Sequence, residues 1–569
     1  MAASLELAEG GKALARGAPA TTPDDLFLRL DQLNEIGAAL SLEKDLNALL
    51  EKILVAAKTI TRADGGTLYL VEGEDTARQL RFEIVRTASL DVAMGGTTGN
   101  PIPFYPIQLY RDGKPNNSMI AAYAAIHGVT INIADAYAEE GFDFSGTRRF
   151  DQKTGYRSKS FLTVPMKNHE GEIIGVLQLI NCRQPGTGEI VAFSEADQRL
   201  AESLASQAAI ALSNRQLINQ LENLFESFIE LINTAIDEKS PYTGGHCQRV
   251  PVLTMMIAEA VNQTASGPLA GFSMSDSDRY ELKIAGLLHD CGKITTPVHI
   301  VDKATKLETI FDRINLVDTR FEVLRRDAEL YAMSRRLELE RERDLPELER
   351  RSRQFRIDEE LRDMLRQLED DRKFLRRCNI GGEAMAREAQ DRVLQIGLTY
   401  KWRDPSGNTA NFLTDDELRN LTIPRGTLTE EEREIINHHI VSTIKMLEAL
   451  PWPKHLRNVP EYAGGHHERM DGKGYPRGLA REQMSVQARI MGIADIFEAL
   501  TAKDRPYKKG KSLSESLHIL GKFKLNGHID PDLFDVFIRE RVYLKYAEQF
   551  LDPEQVDAVD ERAIPGYAG

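Results

Sequence analysis

Hydrophobic positions change their period several times along the chain. Past Pro23, the apolar positions Leu26, Leu28, Leu30, Leu33 and Ile36, then Leu46, Leu49, Leu50, Ile53 and Leu54, form an amphipathic stretch that predicts two helices. The period then drops to two. Leu80–Ile84 alternates inward and outward, and 66–71 is a short apolar run, so both predict strands. Residues 161–166 and 173–180 flank the turn-prone Lys-Asn-His-Glu-Gly-Glu, which predicts a hairpin. Helices, strands and a closing helix make an α+β unit.

From about Glu195 the pattern is helical again. Ile210, Leu217, Leu221, Leu224, Phe228 and Leu231 form a stripe with Asn214 at one seam position. A repeat near 3.5 buries such a stripe against a partner helix, and a lone seam Asn can fix register, so a parallel dimer helix is expected. After Pro241 the chain reads as helical to its end, without strands. Between about 304 and 427 it is dense in Arg and Glu, as in Leu337-Glu-Leu-Glu-Arg-Glu-Arg-Asp344. Mixed charge of this kind solvates helix faces through i,i+4 pairs, so this segment is read as an inserted helical hairpin.

Composition narrows the partners. The 569 residues carry a net charge of −15, which disfavours nucleic acid and anionic membranes as broad partners. It leaves room for a small anion in a local basic or metal-bearing pocket. Cys182, Cys247, Cys291 and Cys378 lack CxxC spacing, which fits a reducing compartment. No apolar run approaches the roughly 20 residues of a membrane helix, and the N-terminus has no signal-peptide core. A cytoplasmic protein of more than one domain, with a disordered polar leader at 1–24, is expected.

Candidate chemistry lies in the second half. Ten of the 12 histidines fall after residue 245. They group as Tyr242-Thr-Gly-Gly-His246, Leu287-Leu-His-Asp-Cys-Gly-Lys293, His438-His439 and Gly464-Gly-His-His-Glu-Arg-Met-Asp-Gly-Lys-Gly-Tyr-Pro476. Asp495 sits in an otherwise apolar helix, where a carboxylate is costly unless paired or metal-bound. Imidazole and carboxylate without thiolate suit iron, manganese or zinc. Two cations held close together lower the pKa of a bound water and offset anionic charge on whatever they bind.

His289-Asp290 with Gly292-Lys293, then His466-His467-Glu468, Asp471-Gly472 and Gly474-Tyr475-Pro476, resembles the HD-GYP family of cyclic di-GMP phosphodiesterases. The resemblance implies metal ligands at His246, His289, Asp290, His439, His466, His467 and Asp495, with Asp290 bridging two ions, most simply Fe and alternatively Mn. It also implies Lys293 near the scissile phosphate, and substrate contacts from Arg505, Lys508, Asp471, Gly474, Tyr475 and Pro476. Three departures stand out: over a hundred residues separate the HD pair from the middle histidine, His438 competes with the preferred His439, and Tyr242 stands where some relatives place a third-metal carboxylate.

Residues of about 25–215 resemble a GAF domain, carried by Phe150-Asp-Gln-Lys-Thr-Gly-Tyr156, Ser160–Pro165, Gly175–Asn181, Phe193 and Asp197. Asn181, Phe193 and Asp197 match part of a cyclic-nucleotide signature, whereas Cys182 and Gln198 depart from it. A cyclic nucleotide, another small ligand or a purely dimer-forming role all remain open for this domain.

The expected fold is thus an α+β GAF domain at 25–200, with an antiparallel sheet and flanking helices, and a coiled-coil connecting helix at 201–235. An all-α HD-superfamily domain follows at 236–550 with its insertion at 304–427, then a tail at 551–569. The expected function is metal-dependent hydrolysis of cyclic di-GMP to pGpG or GMP in a homodimer, regulated through the GAF domain. The alternatives are an HD hydrolase of another cyclic nucleotide and a non-catalytic signalling module.

Overall fold

The computed structural model of the chain describes residues 23–239, 245–382, 384–502 and 510–568. Two units, Met1–Phe225 and Glu226–Gly569, each hold their own contacts.

In the N-terminal unit the period-two segments pair into one antiparallel sheet. Its order is Val92–Gly95, Gln79–Thr87, Ala63–Glu72, Ile173–Arg183, Phe161–Lys167 and Ile131–Ile133, with short strands added at Ile107–Gln108 and Ile190–Val191. The predicted hairpin pairs Leu162 with Leu179 and Val164 with Leu177. Helix Leu46–Thr61 starts where Asp45 accepts a hydrogen bond from the Ala48 N–H at 2.7 Å, an N-cap that satisfies one of the free donors of the first turn. Its Leu50, Ile53, Leu54 and Ala57 face Leu68, Leu177 and Leu179 of the sheet and Leu204, Ala208 and Leu212 of the closing helix, forming the main core.

The closing helix, Glu195–Lys239, runs on past that core. Beyond Leu212 its stripe is solvent-facing: Leu217, Leu221, Leu224, Phe228 and Leu231 are all exposed.

The second unit is built of helices, with His246–Asn262, Asp276–Leu288, Glu430–Glu448, Val459–Gly464 and Val486–Thr501 at its centre. Ser275 with Asp278, and Thr429 with Glu432, form capping boxes that fix where two of these helices begin. The insertion is a long antiparallel pair, Ile314–Arg341 and Glu347–Asn379, closed by Arg387–Thr399 and Asp415–Leu421. It has its own core of Phe321, Leu375, Phe412, Leu413 and Leu421. Its charged faces form the expected pairs, such as Arg353–Glu349 at 2.6 Å. Entry and exit meet: the Thr427 hydroxyl donates to the Lys303 carbonyl at 3.0 Å, and the buried Lys303 ammonium reaches Glu432 at 2.8 Å and Asn420 at 2.9 Å.

The insertion departs from the strand-free expectation. Lys401–Arg403 and Thr409–Asn411 pair as a small hairpin. Asp404 makes the turn by accepting from the Ser406 and Asn408 N–H groups at 2.9 and 2.8 Å, and Gly407 supplies a φ of 87°. Strands of three residues are too short to display a period, so only the turn chemistry could have announced them. Among the described residues, no helix is long and apolar enough to cross a membrane.

Candidate metal centre

Five chain segments deliver side chains to one buried cluster in the second unit. His246 is the first residue of its helix, entered through Gly245 at a φ of 87°. His289 caps the C-terminal end of Asp276–Leu288, and Asp290 follows it into a 3-10 turn. That turn lies against the helix carrying His439. A Cβ on Gly292 would sit 2.0 Å from the His439 carbonyl oxygen, so only glycine permits this approach, and the Gly292 N–H donates to Thr443 Oγ1 at 2.9 Å. His466 and His467 follow the end of Val459–Gly464, and Asp495 comes from Val486–Thr501.

The donor atoms converge on Asp290. Its Oδ2 lies 3.1 Å from His246 Nε2 and 3.2 Å from His289 Nε2, while its Oδ1 lies 3.2 Å from His439 Nε2. Asp495 Oδ1 is 3.3 Å from His246 Nε2, and His467 Nε2 is 3.2 Å from His439 Nε2. Two ligand groups result, Asp290 with His439, His466 and His467, and Asp290 with His246 and His289. Asp290 belongs to both. Donors 3.1–3.3 Å apart have the spacing of neighbouring ligands around an ion bound at about 2.0–2.2 Å.

Tautomers explain why the cluster suits a cation. His289 Nδ1 donates to the Gly286 carbonyl at 2.7 Å, His439 Nδ1 to Ile436 at 2.6 Å and His466 Nδ1 to Ala463 at 2.6 Å. These bonds occupy Nδ1 and leave the Nε2 of each ring facing the cluster, the usual orientation of a metal-ligating histidine. His466 Nε2 and Asp290 Oδ1 are buried without a hydrogen-bond partner, a costly state that a bound cation relieves. The residues fit a metal site.

Charge follows the same layout. Burial, reinforced by His289, pushes His466 down to about 4; burial and His466 hold His467 well below its usual range. Burial opposes charge on Asp290 and Asp495, yet Lys293 and His289 keep the first ionised, and His246 keeps the second so. Burial also opposes charge on His246, and the carboxylates of Asp290, Asp495 and Glu498 outweigh it, so its pKa lies well above the usual imidazole value. Without an ion, a proton sits where the negative field is strongest.

Glu498 is a residue the sequence reading missed. It is fully buried, accepts from His246 Nδ1, and receives the Arg249 Nε at 2.7 Å. It thereby orients the ring whose Nε2 faces Asp290. The signal was available: Glu498 lies on the same apolar helix as Asp495, one turn later, where a carboxylate is equally costly.

The other candidates fall as follows. His438 is exposed and His439 buried, so His439 is the one in the cluster. Lys293 Nζ contacts Asp290 Oδ2. Tyr475 stacks on His467 at 4.8 Å and 24°, followed by Pro476 in a cis peptide. A Cβ on Gly474 would sit 2.4 Å from the Arg469 nitrogen, and the buried Glu468 accepts from the Arg477 and Leu479 N–H groups at 2.8 and 2.9 Å, which folds this loop back on itself. Asp471 pairs with Arg469 at 2.8 Å. Tyr242, Arg505 and Lys508 lie outside the described residues.

In the N-terminal unit, a cavity of about 330 Å³ lies against the sheet, lined by Tyr69, Phe82, Phe144, Phe150 and Tyr156 among others. Asn181, Phe193 and Asp197 do not line it. Asn181 accepts from the Lys159 N–H at 2.7 Å and donates to the Arg157 carbonyl at 2.8 Å. Phe193 is in the main core. Asp197 accepts from the Ser194 N–H at 2.9 Å and pairs with the buried Arg29.

Comparison with known proteins agrees with this division. Residues 45–212 match the GAF domain family, and residues 243–368 and 413–533 match HD domain families. A cyclic di-GMP phosphodiesterase of Pseudomonas aeruginosa is 39% identical over 114 residues, which is 20% of this chain and 26% of the relative. The 3'3'-cGAMP-specific phosphodiesterase 3 of Vibrio cholerae is 37% identical over 315 residues, covering 55% of this chain and 39% of the relative. The dual 3',5'-cyclic-AMP and -GMP phosphodiesterase 11A of Takifugu rubripes is 32% identical over 209 residues, covering 36% and 21%. The chain thus spans well under half the length of each of these relatives. It joins a GAF domain to an HD domain matched in two parts, the first ending and the second beginning within the charged helical segment.

Proposed function

We propose that the second unit is a dinuclear metal phosphodiesterase of the HD-GYP type, hydrolysing cyclic di-GMP to pGpG or GMP. The observation that carries the reading is Asp290 shared between two ligand groups, with each of its oxygens facing different histidines. His246, His289 and Asp495 would hold one ion with Asp290, and His439, His466 and His467 the other. An all-nitrogen and oxygen donor set suits iron, manganese or zinc, and of these the resemblance to the HD-GYP family implies Fe, with Mn as the alternative. When bound, two such cations make hydroxide available near neutral pH and offset charge on the phosphate oxygens.

The chain's own groups supply the rest. Lys293, beside Asp290, is placed to compensate charge that grows on the phosphate during attack. Tyr475, stacked on His467, walls one side of the centre and limits how the sugar-phosphate ring can lie. Arg505 and Lys508 are proposed to grip phosphate oxygens, with Asp471, Gly474 and Pro476 shaping the loop around them. The GAF domain is proposed to sense a ligand, and the exposed stripe from Leu217 to Leu231 to pair two copies of the connecting helix.

The test is direct. Fe- or Mn-loaded protein is incubated with cyclic di-GMP, 3'3'-cGAMP, cAMP and cGMP in parallel, and the products are resolved by chromatography. Conversion of cyclic di-GMP to pGpG or GMP, lost in Asp290→Ala with the helical content intact, supports the reading. Binding of cyclic di-GMP without turnover in the loaded protein overturns it.

A further inference from the structure

The metal ligands His467 and Asp495 line a cavity of about 480 Å³ whose wall also includes Phe523 and His528. A minimal phosphodiester needs only the metal end of such a space, so the remainder calls for an explanation.

Phe523 stands on helix Leu513–Leu525, whose buried face consists of Leu513, Ser516, Leu517, Leu520 and Gly521. Phe523 is outside that face and only half-buried. Its ring stacks with His528 at 4.6 Å and 28°, and the turn between them is closed by the His528 N–H donating to the Phe523 carbonyl at 2.9 Å. Burial, aided by Arg469, lowers the His528 pKa, so near neutral pH this ring is an uncharged aromatic surface. The pair is also held against the loop that carries the centre: the Asp471 N–H donates to the Gly527 carbonyl at 3.0 Å, and Arg469 bridges Asp471 and the Asn526 carbonyl. A rigid aromatic pair, part-exposed, beside a phosphoester centre has the character of a stacking platform for a nucleobase.

We infer that Phe523, backed by His528, is the stacking platform for one purine of a cyclic dinucleotide whose scissile phosphate lies at His467 and Asp495. The platform is a specificity element, not a catalytic one, and it rests on the phosphodiesterase reading above. It gives a physical reason for a substrate with a base to stack. The second phosphate of such a substrate would find the Lys473 side chain, which is 79% exposed and also lines the cavity.

The experiment compares cyclic di-GMP with bis(p-nitrophenyl) phosphate, a phosphodiester lacking a purine, in the Mn-loaded full-length protein. In Phe523→Leu, which keeps apolar bulk but loses the ring, the ratio of the two kcat/KM values falls about tenfold or more, mainly through KM for cyclic di-GMP. Phe523→Tyr restores the ratio, and His528→Gln lowers it by a smaller factor. An unchanged ratio in both Phe523→Leu and His528→Gln, with the parent cleaving cyclic di-GMP, overturns the platform and leaves the phosphodiesterase reading standing. A parent that cleaves bis(p-nitrophenyl) phosphate but no cyclic dinucleotide overturns both.

Discussion

Each half of the molecule buries a carboxylate that a sequence motif singles out, and the two are treated in opposite ways. Asp197 in the N-terminal unit is saturated: Ser194 and Arg29 occupy its oxygens, and it fixes the start of a helix. Asp290 in the C-terminal unit has one oxygen without a hydrogen bond and faces the Nε2 atoms of His246, His289 and His439. Both are almost fully buried. Burial and charge therefore do not mark a site by themselves. The mark is incomplete satisfaction, because a folded chain tolerates an orphaned buried acceptor mainly where something else completes it.

The contrast is broken most sharply at Asp290. Asp290→Asn is expected to lose turnover by about a thousandfold or more, together with bound metal measured by elemental analysis, and the metal-free protein should also lose stability, because Lys293 and His246 no longer face a carboxylate. Asp197→Asn should leave turnover and metal content unchanged. It removes only the negative charge opposite the buried Arg29, which keeps its hydrogen bond to the Ile60 carbonyl, and costs about 3 kcal/mol in the N-terminal unit, read by chemical denaturation. Should Asp197→Asn instead abolish metal binding, the distinction between the two carboxylates fails.

A subtler variant separates ligation from orientation. Glu498→Gln keeps shape and one acceptor but loses the charge opposite His246 Nδ1. A fall of roughly 10- to 100-fold in metal affinity is expected, with the other ligands in place. Titration of metal into the apo protein provides that readout independently of turnover.

The smallest effect is a proton count. The pKa of His246 is raised, so at neutral pH the metal-free protein carries a proton there, and an incoming cation must expel it. Calorimetric heats of metal binding should then vary with the ionisation enthalpy of the buffer, with net proton release. Affinity should climb as pH rises toward the raised value and level off above it. By the same sign, the proton on His246 stabilises the metal-free fold fully below the unfolded imidazole pKa, and this contribution fades as pH rises through the folded one.

Much of this was legible before any coordinates. The sheet and its helices followed from switches of period, because a half-buried strand and a helix leave distinct traces. That His466 and His467 belong to a side-chain cluster was legible because paired histidines between glycines have no packing duty. Other features left weaker traces. Glu498 escaped notice since a Glu in a helix is ordinary until the face it occupies is known. The Lys401–Asn411 hairpin was too short to show alternation. Asn181 and Asp197 were visible as positions, but only the hydrogen bonds reveal that they tie strand to loop and cap a helix. Phe523 and His528 lie five residues apart with nothing in the string to suggest that their rings meet.

The insertion leaves and returns at one place, where Thr427 meets Lys303 and the Lys303 ammonium reaches Glu432 and Asn420. Everything beyond it is a detour that returns to its point of departure. Asp290 and His439, separated by more than a hundred positions along the chain, stay neighbours because the detour closes on itself. Excising it and splicing the neck with a few small residues should leave the histidine–aspartate cluster in place, and whatever the appendage contributes is then revealed by what goes missing.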